Sequence, residues 1–228
     1  MKITILTLFP EIFRDILNYS ILKRAQQKRL VEFALVNIRD FAQDKHKSVD
    51  DHPYGGGVGM IMRVDIIAKA ILSVKSSFHG KEKIVLLDPR GKLFNQSRAR
   101  IFSKLDHLVL ICGHYEGVDE RVLSLVDEVI SLGDFVLTGG EIPSLAIIEA
   151  TARLIPGVLT KKEATIDESF TKSLLSYPQY TRPRDYKNLK VPSILLSGNH
   201  KKILSWRQSQ ARYITKSLRP DLLKEKKG

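Results

Sequence analysis

Through the first 150 residues, short β-branched and aliphatic runs alternate with stretches of helical periodicity, and this alternation restricts the fold more than any other feature. Runs at 3–8, 31–37, 84–87, 108–112 and 129–132 have the length and composition of buried strands. Between them Val64, Ile66, Ile67, Ala70, Ile71 and Val74 recur at helical spacing, and 118–125 and 141–154 also read as helical. Such a succession predicts βαβ units and a largely parallel sheet, an α/β domain whose helical apolar stripes are core. The chain has 228 residues, 43% hydrophobic, enough for one substantial core and a smaller second domain. The opening MKITILTLFPEIF is too short and too soon interrupted by Pro10 and Glu11 to span a membrane or to be a cleaved leader, so it predicts a buried first strand. A lone Cys112 rules out an internal disulfide, and reducing, cytoplasmic conditions are the expectation.

Charge divides the chain. The net formal charge is +12, and residues 1–160 carry 21 basic and 19 acidic side chains against 16 and 6 in 161–228. An excess so concentrated predicts a polyanionic partner for the last third, whereas the terminal Lys224, Lys226 and Lys227 read as a merely solvated run. A nucleic acid is favoured over an anionic membrane because no basic amphipathic helix with a large apolar face is evident. Two segments break the strand–helix rhythm. Residues 40–62 are polar, glycine-rich and too long for a plain connection, which predicts a functional loop. Residues 156–183 are irregular and proline-rich, and 201–218 form a basic helical stretch containing Trp206. The expected plan is a catalytic domain over 1–160, a linker over 161–176 and a small basic helical domain over 177–228.

Three strand ends run into loops of one unusual type: Asp88-Pro89-Arg90-Gly91, then Gly113-His114-Tyr115-Glu116-Gly117, then Gly133 through Gly140. Ligands of open α/β sheets bind beyond the carboxyl ends of strands, and glycines there let backbone groups approach a ligand closely. One such loop would be a tight turn and nothing more; three in succession predict a shared pocket, with Leu132, Phe135 and Leu137 enclosing a base. The segment Gly55-Gly56-Gly57-Val58-Gly59 does not fit GxGxxG and no GxxxxGK[ST] occurs, so dinucleotides and nucleoside triphosphates are disfavoured. A phosphate-free nucleoside such as S-adenosylmethionine suits the pattern, with Glu116 or Asp134 near its sulfonium charge or, equally, serving as a helix cap. No CxxC or HExxH spacing exists, and His46, Asp50, Asp51 and His52 lack the spacing of a zinc site, so no metal ligands are assigned.

The segments VDDHPYGGGVGMIM (49–62), CGHYEGVDER (112–121), SLGDFVLTGGE (131–141), YPQYTRP (177–183) and LLSGNHKKILSWR (195–207) together resemble the bacterial tRNA (guanine-N1)-methyltransferase family, TrmD. The resemblance runs nearly end to end and in order. It implies a SPOUT-type parallel sheet with a deep trefoil knot and a small C-terminal helical domain, a homodimer, S-adenosylmethionine as cofactor and a need for magnesium. Nothing in the spacing itself would show a knot, since threaded chains are rare. The cofactor positions it implies are Leu86, Pro89, Gly113, Tyr115, Glu116, Leu132, Gly133, Asp134, Phe135, Val136, Leu137, Gly139 and Gly140. Two departures fall among the cofactor loops: the family's usual Ser-Pro-Gln-Gly reads Asp88-Pro89-Arg90-Gly91, and a common Tyr is Phe135.

Neutral guanine carries a proton on N1, so methylation there needs a base at N1 and a cationic donor near O6. The family's Glu-Asp-Ser-Phe matches Asp167-Glu168-Ser169-Phe170, placing its base on Glu168, with Asp167 as the alternative carboxylate. The matching arginine is Arg153, which could equally complement a helix dipole. By resemblance Asp50, Gly55, Gly59 and Ser169 meet the target guanosine and its neighbour, the target being the guanosine just 3′ of the tRNA anticodon. Because the reacting nitrogen lies on the pairing edge, the base must leave its stack. Arg182, Arg184, Lys201, Lys202, Arg207 and Arg212 are candidates for phosphate contacts, with Tyr180 and Trp206 either stacking on bases or simply packing, core packing being favoured for Trp206.

Overall fold

The computed structural model describes residues 1–75, 80–161 and 165–223; Lys224, Lys226 and Lys227 lie outside them. The chain divides into two units, Met1–Thr160 and Lys161–Gly228. In chain order the first contains β1 (Lys2–Thr7), α1 (Glu11–Leu17), α2 (Ser20–Gln27), β2 (Glu32–Asn37), the short β3 (Asp50–Asp51) and β4 (Ile61–Met62), and α3 (Val64–Val74). Then follow β5 (Glu82–Leu93), α4 (Gln96–Phe102), β6 (His107–Cys112), β7 (Glu128–Ser131) and α5 (Glu141–Ala152), with 3-10 turns over Ile38–Phe41 and Glu120–Leu125. Five strands form one sheet in the order β2-β1-β6-β5-β7, every neighbouring pair parallel. All five strands expected from the sequence are present; α1, α2 and α4 were not anticipated.

A strand buried on both faces sends alternate side chains into two different cores, and the sheet does this throughout. On β5 and β6, Val85, Leu87, Leu108, Leu110 and Cys112 join α1, α2 and α5, whereas Ile84, Leu86, Val109 and Ile111 join α3 and the two 3-10 turns. The central β6 is buried along its whole length. Each of its aliphatic side chains contributes roughly 1.5–3 kcal/mol by leaving water. At the amino ends of three strands, His107 on β6 pairs with Thr4 Oγ1 on β1 (2.9 Å) through Nε2 and with Glu82 Oε2 on β5 (2.6 Å) through Nδ1. This polar chain fixes the relative register of the three strands on the side away from the glycine loops.

Two expectations are corrected. Residues 118–125 do not form a regular helix. Gly117 has φ +119°, Val118 bridges to Met62 and the Asp119 amide donates to the Met62 carbonyl, so only Glu120–Leu125 turns, as a 3-10 segment capped by Asp119 accepting from the Arg121 amide (2.9 Å). Nor are Asp88–Gly91 a loop beyond a finished strand. Leu87 and Lys92 both register with Ile130, so the four residues between them are an excursion inside the long β5. Gly91 is where the excursion returns: a Cβ there would lie 2.5–2.6 Å from the backbone of Val129 and Ile130.

The second unit is small. The hairpin of β8 (Asp185–Tyr186) and β9 (Leu189–Lys190) turns at Lys187 and Asn188, both with positive φ, as two-residue hairpin loops require. The long α6 (His200–Leu218) starts at Asn199, whose side chain accepts from the Lys202 amide (3.1 Å). Residues 165–176 belong to this unit and hydrogen-bond to it, the Leu175 amide donating to Thr215 Oγ1 on α6 (2.8 Å). Among the described residues no helix is long and apolar enough to cross a membrane.

Because backbone atoms cannot yield as a flexible side chain can, Gly91→Ala should destabilise the fold by about 1–3 kcal/mol. Thermal unfolding should register this as a drop of several degrees, and an unchanged midpoint would refute the close approach.

Candidate functional site

The carboxyl ends of β6, β5 and β7, neighbours in the sheet, open into one cavity of about 430 Å³. Its walls come from three sources: Leu87–Arg90 on β5, Gly113–Val118 after β6, and Ile130–Gly133 with Phe135–Gly140 around β7, closed by Pro143 of α5. Of the thirteen cofactor positions, Pro89, Gly113, Tyr115, Glu116, Leu132, Gly133, Phe135, Val136, Leu137, Gly139 and Gly140 line it. Leu86 and Asp134 do not: Leu86 points into the core beneath α3, and Asp134 is exposed on the loop. Lining residues that sequence reasoning did not single out as binders include Asp88, Arg90, His114, Thr138 and Pro143.

Close backbone contact builds the cavity. The Gly140 amide donates to the Gly113 carbonyl (2.8 Å), and a Cβ on Gly140 would sit 2.6 Å from Cys112 Cα. His114 and Gly139 pair in an isolated antiparallel bridge. Tyr115 adopts φ +59°, which turns the loop sharply, and its hydroxyl accepts from Arg39 (3.2 Å). The glycine-rich loop of 50–62 is fastened to the same place. The Glu116 amide donates to the Met60 carbonyl (3.0 Å) and the Met62 amide to the Gly117 carbonyl (3.0 Å), while a Cβ on Gly59 would meet the Glu116 side chain. Asp50 is half-buried in β3, whereas Gly55 and Gly59 are exposed with positive φ.

Beneath the pocket lies a carboxylate that the sequence did not announce. Glu141 opens α5 and is buried; its Oε1 accepts from Thr7 Oγ1 at the end of β1 (2.8 Å). Its Oε2 stands 3.8 Å from His114 Nδ1, within ion-pair reach but too far for a hydrogen bond, and Nδ1 is buried without a hydrogen-bond partner. An acid directly after Gly139-Gly140 at a helix start was the available signal. Cys112, buried here and bonded to Ser144 (3.1 Å), has its thiol pKa pushed up by burial and then by Glu141, so it stays protonated and is no nucleophile.

On the opposite wall burial opposes ionisation of Asp88, but hydrogen bonds from Arg90 outweigh it and hold the carboxyl below its ordinary range. The cavity therefore offers backbone donors and acceptors, aliphatic and aromatic walls, and side chains of which Arg90 is already ion-paired. It has no lysine and no free cationic cradle for phosphates among its lining residues, which fits a phosphate-free nucleoside such as S-adenosylmethionine. No group of three or more His, Cys, Asp or Glu placed to hold a metal exists among the described residues.

The expected catalytic residues lie on both units. Arg153 is the half-buried C-cap of α5 in the first. In the second, Asp167 is exposed, Glu168 and Ser169 are half-buried and Arg182 is exposed. The segment around Glu168 folds on itself: the Thr171 amide donates to the Glu168 carbonyl (3.3 Å), the Phe170 amide to the Leu174 carbonyl (2.7 Å), and Ser169 Oγ accepts from the Ser176 amide (2.9 Å). Lys201, Lys202, Arg207 and Arg212 are exposed along α6, and the Arg207 guanidinium lies 4.8 Å from the Tyr177 ring centre. Trp206 is half-buried against Tyr180, ring centres 6.5 Å apart.

Removing the Thr7 hydroxyl would leave Glu141 Oε1 buried without its donor. Thr7→Val should cost about 1–3 kcal/mol in chemical denaturation, a loss that Thr7→Ser largely avoids. Equal stability of the valine and serine variants would show that this bond carries nothing.

The model of the family described as tRNA (Guanine-1)-methyltransferase TrmD matches residues 1–225 of the chain. The chain is similar to the tRNA (guanine-N(1)-)-methyltransferase of Dictyoglomus turgidum, 52% identical over 225 residues, covering 99% of this chain and 91% of that protein. Its likeness to the enzyme of the same name from Clostridium botulinum (strain Eklund 17B) is 53% over 224 residues, covering 98% and 93%. With that of Ruminiclostridium cellulolyticum it is 50% over 223 residues, covering 97% and 96%. Matched over nearly its whole length, the chain belongs to the tRNA (guanine-1)-methyltransferase TrmD family.

Proposed function

We propose that this enzyme transfers the methyl group of S-adenosylmethionine to N1 of the guanosine immediately 3′ of the anticodon, position 37, in cytoplasmic tRNA. The observation that carries the reading is the cavity formed where three glycine-bearing segments converge at neighbouring strand ends, in a chain of this family. The same reading takes a SPOUT-type fold with a deep trefoil knot, a homodimer and a magnesium requirement from the resemblance, and the close approach of Gly140 to Cys112 and Gly113 supports the first of these.

When bound, S-adenosylmethionine supplies an electrophilic methyl group on a sulfonium. The protein's part is to bind it, to present the guanine and to manage one proton. Glycine loops read the cofactor through backbone groups, with Leu132, Phe135 and Leu137 against its base and Glu116 on the cofactor side of the 50–62 loop. Asp50, Gly55, Gly59 and Ser169 receive the unstacked guanosine. Glu168 takes the proton from N1, and the Arg153 guanidinium stabilises the charge that develops on O6. Arg182 and the basic face of α6, with Lys201, Lys202, Arg207 and Arg212, hold the RNA backbone.

Methyl transfer to unmodified tRNA transcripts with guanosine or adenosine at the target position should give 1-methylguanosine from the guanosine transcript alone. Cofactor and tRNA binding without product under any magnesium condition would make the chain a binding protein. Glu168→Gln should lower single-turnover transfer by roughly 10²–10⁴-fold, the usual contribution of a general base, while cofactor affinity stays within about twofold. Asp167→Asn should do far less, and the reverse pattern would reassign the base to Asp167.

A further inference from the structure

Between Leu87 and Lys92 the chain leaves its ladder with β7, so Asp88, Pro89 and Arg90, which with Leu87 form one wall of the cavity, have no registered partner on that strand. What fixes them is Arg90. Asp88 Oδ1 accepts from the Arg90 amide (2.8 Å) and from its Nε (3.0 Å), and Oδ2 accepts from its Nη2 (3.1 Å). The remaining arm, Nη1, donates to Glu120 Oε2 (2.8 Å) in the 3-10 turn that follows the β6 loop. Pro89, between the two paired residues, lines the cavity and has no N–H with which to anchor itself.

From this geometry we propose that Arg90 is a positioning residue for the nucleoside ligand of the cavity: it holds the Asp88–Arg90 wall in place and withholds the Asp88 carboxylate from the ligand. The inference rests on the cofactor reading given above. Asp88 is only 8% exposed at its side chain, so without Arg90 a nearly buried carboxylate would stand unpaired in the wall. The Glu120 arm differs. Arg90 and Glu120 are 58% and 69% exposed, and an ion pair so open to solvent contributes little by itself. The Asp88 arm is therefore where ligand affinity is set, and the two residues act as one compensated unit. The Asp88–Arg90 pair leaves this stretch of the wall without net charge.

The test is calorimetric binding of S-adenosylhomocysteine to the full chain, with steady-state methyl transfer, for Arg90→Gln, Arg90→Lys, Asp88→Ser and the double Asp88→Ser/Arg90→Gln. Arg90→Gln should weaken binding about tenfold, as expected for coupling within a contacting charge pair, and raise the cofactor KM in step while kcat at saturation holds. The double variant should return to within about twofold of the unaltered protein, because removing both charges leaves nothing uncompensated. Arg90→Lys keeps the charge without the paired geometry; binding weaker than in the unaltered protein supports the role even if the glutamine variant does not fold. Unchanged affinity in either arginine variant, or a double variant no better than Arg90→Gln, overturns it. If the unaltered protein binds no S-adenosylhomocysteine, the cofactor reading falls and this role falls with it.

Discussion

Gly140 rests directly on the backbone of Cys112 and Gly113, and the site depends on that contact. The chain can pass so close only because no side chain intervenes: a Cβ would lie 2.6 Å from Cys112 Cα, where instead the Gly140 amide reaches the Gly113 carbonyl. The segment leaving β7 must then return across the end of β6 before α5 begins, which makes Gly113–Gly117 and Gly133–Gly140 facing walls of one cavity. Gly91 does the same on the other side, against Val129 and Ile130. The pocket is the space left when three backbone segments are packed this closely, and its shape is a property of the main chain before any side chain is considered.

Buried polar pairs hold the strands in the register that this packing requires. At the carboxyl ends Thr7 on β1 donates to Glu141 on α5, and at the amino ends Thr4, His107 and Glu82 join β1, β6 and β5. Aliphatic packing alone is nearly indifferent to which leucine faces which isoleucine, whereas a buried hydroxyl or carboxylate without its partner is expensive. A slip of one residue would break both sets of bonds and turn every core side chain of the strand to the wrong face. Placed at opposite ends of the sheet, the two pins leave the middle free to be filled by Val109, Leu110 and Ile111.

The parallel sheet and α3 were legible because strands buried on both faces are continuous aliphatic runs, and because Ile66, Ile67, Ala70 and Ile71 keep helical spacing. The helices α1, α2 and α4 were missed: at seven or eight residues they are too short to announce a period, and packing against the sheet stabilises them. The glycine-bearing strand ends pointed to a pocket. Their arrangement was less readable, because Asp88–Gly91 is an excursion set by the register of both Leu87 and Lys92 with Ile130, 43 and 38 residues further along the chain. Residues 118–125 misled for a similar reason: their apolar pattern is helical, but pairing with Met62 captures Val118 and Asp119. For Glu141 the only signal was its place at a helix start after two glycines; its partner Thr7 precedes it by 134 residues, so the pairing itself was not legible.

The departures of this chain from its family's pattern carry unequal weight, and the construction of the site explains why. A cofactor read by backbone groups is indifferent to whether a wall carries Tyr or Phe135, provided the main chain keeps its course; at Asp88 the altered charge is matched within two residues by Arg90. A general base has no such latitude, because its reach is the length of one side chain. In the proposed chemistry the extra methylene of Glu168 has to be absorbed locally. The turn that carries it is held by the Thr171, Phe170 and Ser176 amides, so the backbone cannot slide to compensate. Adjustment then falls to the χ angles of Glu168, whose staggered rotamers differ by modest energies. In that proposed chemistry the side chain of Glu168, and not its backbone, takes up the difference in length.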